Sequence, residues 1–169
     1  MNRHLVSNPF PPVYDGHSRI LILGSLPSEA SRAAGFYYMN PRNRFWKVMS
    51  ALLGEDFVAM TAEEKADALR RHGVALFDVI ESCEIHRSSD ASVKDAKGSD
   101  IPEILRKSKI QRIFLNGGKA FELFRRFFPE LLPLAKQLPS TSPANARLSL
   151  EELIEGWRKA IEPLGVLPE

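Results

Sequence analysis

The chain has 169 residues, 44% of them hydrophobic and 26% charged, with a net charge of +2. That balance belongs to a globular protein long enough for one domain with a full core, and it excludes the disordered and fibrous classes. No apolar run approaches the ~18 residues of a membrane span, residues 1–16 lack the apolar core of a signal peptide, and the single cysteine, Cys83, fits a reducing compartment.

Residues 1–18 read as an irregular lead-in, kept extended by Pro9, Pro11 and Pro12, with Val13 and Tyr14 offering an apolar pair to the domain edge. The apolar run Ile20, Leu21, Ile22, Leu23, preceded by Arg19 and stopped by Gly24, predicts a buried parallel strand over 19–23. Ser28 is placed to cap a short helix through Ala33 and Ala34 that ends at Gly35. Phe45, Val48, Met49 and Leu52 recur at helical spacing and Gly54 supplies a stop, so 44–53 reads as helix. A capping box, Thr61 with Glu64, opens a helix that runs to His72 and stops at Gly73.

Residues 74–80 form a second strand candidate, and Asp78 and Glu81 put its end near a polar surface. The Ser- and Asp-rich segment 82–100 reads as a long loop over the sheet edge. Asp100 caps a short helix, 101–107, with Pro102 in its first turn. Residues 111–115 are a third strand, and Asn116, Gly117 and Gly118 turn it into a helix over 119–128, closed by Pro129. A weaker fourth strand, 134–138, runs into a Pro- and Ser-rich loop. Ser149 and Glu152 make another capping box, before a helix whose apolar stripe is Leu150, Leu153, Ile154, Trp157 and Ile161. With no repeat or linker, this alternation predicts one α/β domain over residues 1–169. Its architecture is a three-layer α/β/α arrangement around a central, mostly parallel four-stranded sheet.

Right-handed crossovers bring three turns, 24–28, 116–118 and 139–145, to one edge of such a sheet. Ligands of open α/β sheets bind there. The densest patch follows the first turn: Phe36, Tyr37, Tyr38, Asn40, Arg42, Asn43 and Arg44, in a segment bracketed by Pro27 and Pro41. Aromatic faces, amides and arginines together suit a flat, hydrogen-bonding ligand carried on phosphate, as a nucleotide is. A rigid loop packed on its own aromatics would use the same residues. Arg32, Arg42, Arg44 and Lys47 share this region with one acid, Glu29, a local excess that suits phosphate contact in a mildly basic chain of pI about 8.8.

Gly24-Ser25-Leu26-Pro27-Ser28, followed by Gly35-Phe36-Tyr37-Tyr38-Met39-Asn40-Pro41-Arg42-Asn43-Arg44-Phe45-Trp46, resembles the first motif region of the uracil-DNA glycosylase superfamily. The likeness is closest to its mismatch-specific branch and the hypoxanthine-DNA glycosylase relatives. Ser140-Thr141-Ser142-Pro143-Ala144-Asn145 resembles the second motif. The resemblance implies a monofunctional DNA glycosylase of base-excision repair, a hydrolase that breaks the N-glycosidic bond of a flipped deaminated base, hypoxanthine first, and leaves an abasic site.

By that resemblance Tyr38 stacks on the flipped base and Tyr37 is structural. Asn43 is the catalytic amide that orients water, because Leu26 stands where the classical mismatch-specific enzymes carry an asparagine; Asn43 would also suit a helix cap. Asn40, where relatives often have histidine, is a secondary catalytic candidate. Gly24, Ser25 and Leu26 line the base pocket. Asn116 either hydrogen-bonds the base or serves an Asn-Gly turn. Ser28 and Arg42 are assigned to DNA binding. So are Ser140, Thr141, Ser142 and Pro143, as phosphate grips, and Ala144 and Asn145, which would fill the gap in the duplex.

Two other functions fit less well: removal of uracil or mismatched thymine, and a non-catalytic nucleic-acid-binding module on the same fold. The scattered His4, His17, His72 and His86 give no ligand spacing, so no metal and no cofactor are expected. No turn carries a lysine suited to imine formation, so no β-lyase step is expected. The expected partner is DNA containing a deaminated or mismatched base, with no membrane. The protein is expected to be a monomer of the cytoplasm, nucleoid-associated in a bacterium.

Overall fold

The computed structural model describes residues 3–7, 10–26, 28–86 and 94–169. Its strands are β1 (Arg3–Ser7), β2 (Ile20–Gly24), β3 (Val74–Asp78), β4 (Ile80–His86), β5 (Lys94–Gly98), β6 (Arg112–Asn116) and β7 (Ala135–Leu138). Its α-helices are α1 (Glu29–Ala34), α2 (Phe45–Leu53), α3 (Ala62–Arg71), α4 (Ile101–Arg106), α5 (Gly118–Phe127) and α6 (Leu150–Ile161).

The apolar run of β2 is buried along its whole length and sits inside an all-parallel sheet of order β3-β2-β6-β7. Side chains alternate across that sheet. Ile20, Ile22, Val74, Leu76 and Phe114 face one core with Phe45, Trp46 and Met49 of α2, Leu69 of α3 and Trp157 of α6. Leu21, Leu23, Ala75, Ile113 and Leu115 face a second core with Ile101 of α4 and Ala120 and Phe124 of α5. Two cores on opposite faces of one sheet make the three layers that strand–helix alternation predicts.

Helix ends follow the local chemistry. Thr61 Oγ1 accepts from Glu64 N at 3.1 Å while Glu64 Oε1 accepts from Thr61 N at 2.9 Å, and Ser149 and Glu152 repeat the exchange at α6. Gly35 and Gly54 close α1 and α2 with φ of 78° and 72°, the left-handed conformation glycine adopts without strain.

Three sequence expectations are corrected. The lead-in 1–18 is not irregular throughout: β1 pairs antiparallel with β4, from Arg3 opposite His86 to Ser7 opposite Ser82. Nor is 82–100 one long loop, because β4 also pairs antiparallel with β5, giving a second sheet of order β1-β4-β5; residues 87–93 of that segment lie outside the described residues. These strands are set by backbone pairing and lack the apolar runs that mark buried strands. The strand expected over 74–80 divides at Val79, whose N–H bonds Gly24 O at 2.8 Å as the chain passes from one sheet to the other. Val13 packs in the first core and bridges Leu76 through two backbone bonds of 2.9 and 2.8 Å. No helix among the described residues is long and apolar enough to cross a membrane.

Candidate active site

A cleft of about 960 Å³ opens at the carboxyl edge of the parallel sheet, where the turns after β2, β6 and β7 meet. Gly24, Ser25, Leu26, Ser28, Tyr38, Asn40, Asn43 and Asn116 all border it, as do Ser140, Thr141, Ser142, Pro143, Ala144 and Asn145. Arg42 does not: it is exposed and off the cleft wall.

Tyr38 has a backbone φ of 55°, a left-handed conformation costly for an aromatic residue and held only where its surroundings over-determine it. Its neighbours supply that constraint. Tyr37 is buried, donates its hydroxyl to Pro11 O at 2.8 Å, and accepts the Trp46 indole N–H on its carbonyl at 3.0 Å. On the other side, Met39 N donates to Ser31 Oγ at 2.9 Å. So fixed, the Tyr38 ring lies on Phe45 with centroids 4.0 Å apart and planes 19° from parallel.

The Tyr38 hydroxyl is buried without a hydrogen-bond partner. Burial first, then the Asp78 charge, push its phenol far above the ordinary tyrosine range, with the Asn116 side chain pulling the other way. Gly24 fits beneath this group only because it has no side chain. A Cβ there would lie 2.7 Å from both Tyr38 OH and Asp78 Oδ1.

Asn43 opens α2: its Oδ1 accepts from Phe45 N at 2.9 Å, while its amide nitrogen has no hydrogen-bond partner among the described residues. Asn40 makes a tight turn, its Oδ1 accepting from Arg42 N at 2.9 Å. Between Asn43 and Phe45, Arg44 ties the two motif loops together. Its backbone N–H bonds Thr141 O at 3.0 Å, and its guanidinium donates to Asn145 O and Leu148 O, both at 2.7 Å.

Asn116 borders the cleft and makes bonds that neither sequence reading included, its amide engaging Thr141. Nδ2 donates to Thr141 Oγ1 at 2.9 Å and Oδ1 accepts from Thr141 N at 3.0 Å. The loop is also braced from within: Ser140 Oγ accepts from Ser142 N, Ser142 Oγ accepts from Ala144 N, and Asn145 Nδ2 donates to Ser140 O. Gly117, at φ 99°, approaches Ser140 so closely that a Cβ would fall 2.8 Å from that residue's own Cβ.

Sequence reasoning gave Asp78, Lys119 and Arg147 no individual site role and read Arg32 only as one of a basic cluster suited to phosphate; all four border the cleft. Asp78, 3% exposed, lies opposite Gly24 in the β2–β3 register. An acid ending an otherwise apolar strand was the available signal. Among the described residues, no group of three His, Cys, Asp or Glu is placed to hold a metal ion.

Residues 11–160 match the family model described as the uracil DNA glycosylase superfamily. The chain is 31% identical over 153 residues to the hypoxanthine DNA glycosylase of Methanosarcina barkeri, covering 90% of this chain and 96% of that protein. It is 35% identical over 149 residues to the hypoxanthine DNA glycosylase of Methanosarcina acetivorans, covering 86% and 92%. Its fold superposes with a TM-score of 0.80 on the solution NMR structure of a candidate uracil DNA glycosylase from Methanosarcina acetivorans, at 32% identity and covering 96% and 99%.

Proposed function

The chain belongs to the uracil DNA glycosylase superfamily, and on that premise we propose that it is a monofunctional DNA glycosylase that removes hypoxanthine from DNA. The observation that carries this reading is the meeting of Tyr38, Asn43 and the loop 140–145 in one cleft. The likeness to two hypoxanthine DNA glycosylases supports the choice of base.

In this reading a nucleotide flips into the cleft and its base stacks on the face of Tyr38 turned away from Phe45. Base–aromatic stacking is worth roughly 1–3 kcal/mol. Asp78 lies at the floor where the base edge would reach. A carboxylate only accepts hydrogen bonds. Hypoxanthine and uracil present a ring N–H beside a carbonyl, whereas adenine and cytosine present an unprotonated ring nitrogen there. Such an acceptor can take the ring N–H of a deaminated base, whereas adenine and cytosine can offer it only their exocyclic amino group. Leu26 in place of an asparagine argues against the mismatch-specific uracil assignment.

The glycosidic bond breaks with its electron pair leaving on the base nitrogen, and positive charge develops on the sugar. A water held by the Asn43 amide then adds its oxygen to the sugar carbon, and the proton it gives up ends, through solvent, on the base that left with the electron pair. A neutral amide suffices because bond breaking runs ahead of attack, so orientation and charge stabilisation matter more than basicity. The loop 140–145 holds the phosphates around the flipped nucleotide, acting on DNA as a monomer and without metal.

The test is a cleavage assay in EDTA on labelled duplexes that carry one hypoxanthine, uracil, xanthine or mismatched thymine, with alkali breaking any abasic site. Hypoxanthine release is expected to dominate. Dominant uracil release would transfer the assignment to a uracil enzyme, and DNA binding with no release from any duplex would leave a non-catalytic module.

A further inference from the structure

Four cations stand close together in residues 29–47, and the structure gives them different surroundings. The Arg44 guanidinium is taken up by two backbone carbonyls. Arg42 and Lys47 are exposed and do not border the cleft. Arg32, at the end of α1, is half-buried on the cleft wall. Its Nε is buried without a hydrogen-bond partner, and the side chain has no ion-pair partner among the described residues.

Some arginines remote from the cleft are ion-paired instead: Arg70 with Asp67, Arg71 with Glu55 and Arg125 with Glu122. Arg147, exposed on the loop after β7, also borders the cleft without an ion-pair partner among the described residues. Among those residues the one acid lining the cleft is Asp78, at its floor. Among the described residues, then, no ion pair offsets the charge of Arg32 or Arg147 on the walls.

A half-buried guanidinium has lost part of its hydration, and the group that best offsets this is an oxyanion matched to its planar fork of N–H donors. We propose that Arg32 and Arg147 are phosphate contacts of the DNA strand in the cleft, Arg32 from the β2 side and Arg147 from the β7 side, with β6 between them. This rests on the glycosylase reading for its ligand, but it assigns the electrostatic part of binding to two named side chains.

Each phosphate neutralised on duplex DNA contributes a slope of about −0.9 to log K against log salt. The experiment measures binding of the full chain to a hypoxanthine duplex and to its undamaged counterpart between low and physiological salt. Arg32→Gln and Arg147→Gln are each expected to make the slope shallower by about 0.9 and to weaken binding to both duplexes alike. Arg32→Lys, which keeps the charge, is expected to keep the slope, as is Lys47→Gln.

An unchanged slope for Arg32→Gln or Arg147→Gln overturns the assignment for that residue. A loss for Arg32→Gln that Arg32→Lys fails to rescue, or that Lys47→Gln reproduces, overturns a phosphate role at Arg32. The slope is read without any chemistry, so a wild type that binds DNA but releases no base would defeat the glycosylase reading and leave this proposal to stand or fall on its own numbers.

Discussion

The side chain of Asn116 holds Thr141 through two bonds, its amide nitrogen donating to the threonine hydroxyl at 2.9 Å and its oxygen accepting the threonine N–H at 3.0 Å. The end of β6 is thereby fastened to the loop after β7, across 25 residues of chain. Thr141 is fully buried, so no water replaces those partners without rearrangement. Asn116→Ala strands the threonine N–H, at a cost of about 1–3 kcal/mol. A urea midpoint lowered to match is expected, with slower base release from protein that remains folded by circular dichroism. Unchanged stability and release would mean that Arg44 alone holds the loop.

Gly24 is predicted to tolerate no side chain. Gly24→Ala places a methyl group 2.7 Å from both Tyr38 OH and Asp78 Oδ1, and the Tyr38 ring, backed by Phe45, must move. Misplacement of about 1 Å can cost around a hundredfold in rate, and a loss near that size in single-turnover base release is expected. Adding Tyr38→Phe removes one of the two crowded atoms, so the double variant is expected to regain part of the rate. A double variant no faster than Gly24→Ala would show that ring displacement is not the cause.

The buried phenol of Tyr38 predicts a pH dependence on the alkaline side. Its pKa in the folded protein is raised far above the ordinary value of about 10, which the unfolded chain retains. Below pH ~10 both states are protonated and nothing is lost. Above it the unfolded chain gives up the proton first, and stability falls as pH rises. Urea unfolding between pH 9 and 12 is expected to show a steeper decline for wild type than for Tyr38→Phe. Equal slopes would mean that the phenol ionises freely in the folded state.

Much of the fold is legible in the sequence because its signals are local. The run Ile20 to Leu23, the capping boxes at Thr61 and Ser149, and Gly35 and Gly54 each mark an element through neighbours a few residues away. β1, β4 and β5 lack such marks, since what defines them is a partner backbone elsewhere in the chain. The site divides the same way. Tyr38, Asn40 and Asn43 lie in one contiguous motif and could be read together. Asp78 reaches Tyr38 only through the register that sets it opposite Gly24. Arg44 reads in sequence as one of a basic cluster, yet its partners are carbonyls more than a hundred residues away, at Asn145 and Leu148. Asn116 could be identified as the polar residue that ends β6, but its engagement with Thr141 depends on the loop after the neighbouring strand.

Asn43 carries the central claim of the proposal, and its oxygen also accepts the N–H of Phe45, the first residue of α2, at 2.9 Å. The most direct measurement is the single-turnover rate of hypoxanthine release for wild type, Asn43→Ala and Asn43→Ser. Serine keeps an oxygen able to cap α2 but loses the amide. If the amide orients the attacking water, both variants are expected to release hypoxanthine at least about a hundredfold more slowly, with Asn43→Ser the more stable of the two. A folded Asn43→Ser protein that releases hypoxanthine within about tenfold of the wild-type rate, roughly 1.4 kcal/mol of barrier, would contradict the catalytic assignment and leave Asn43 as a helix cap.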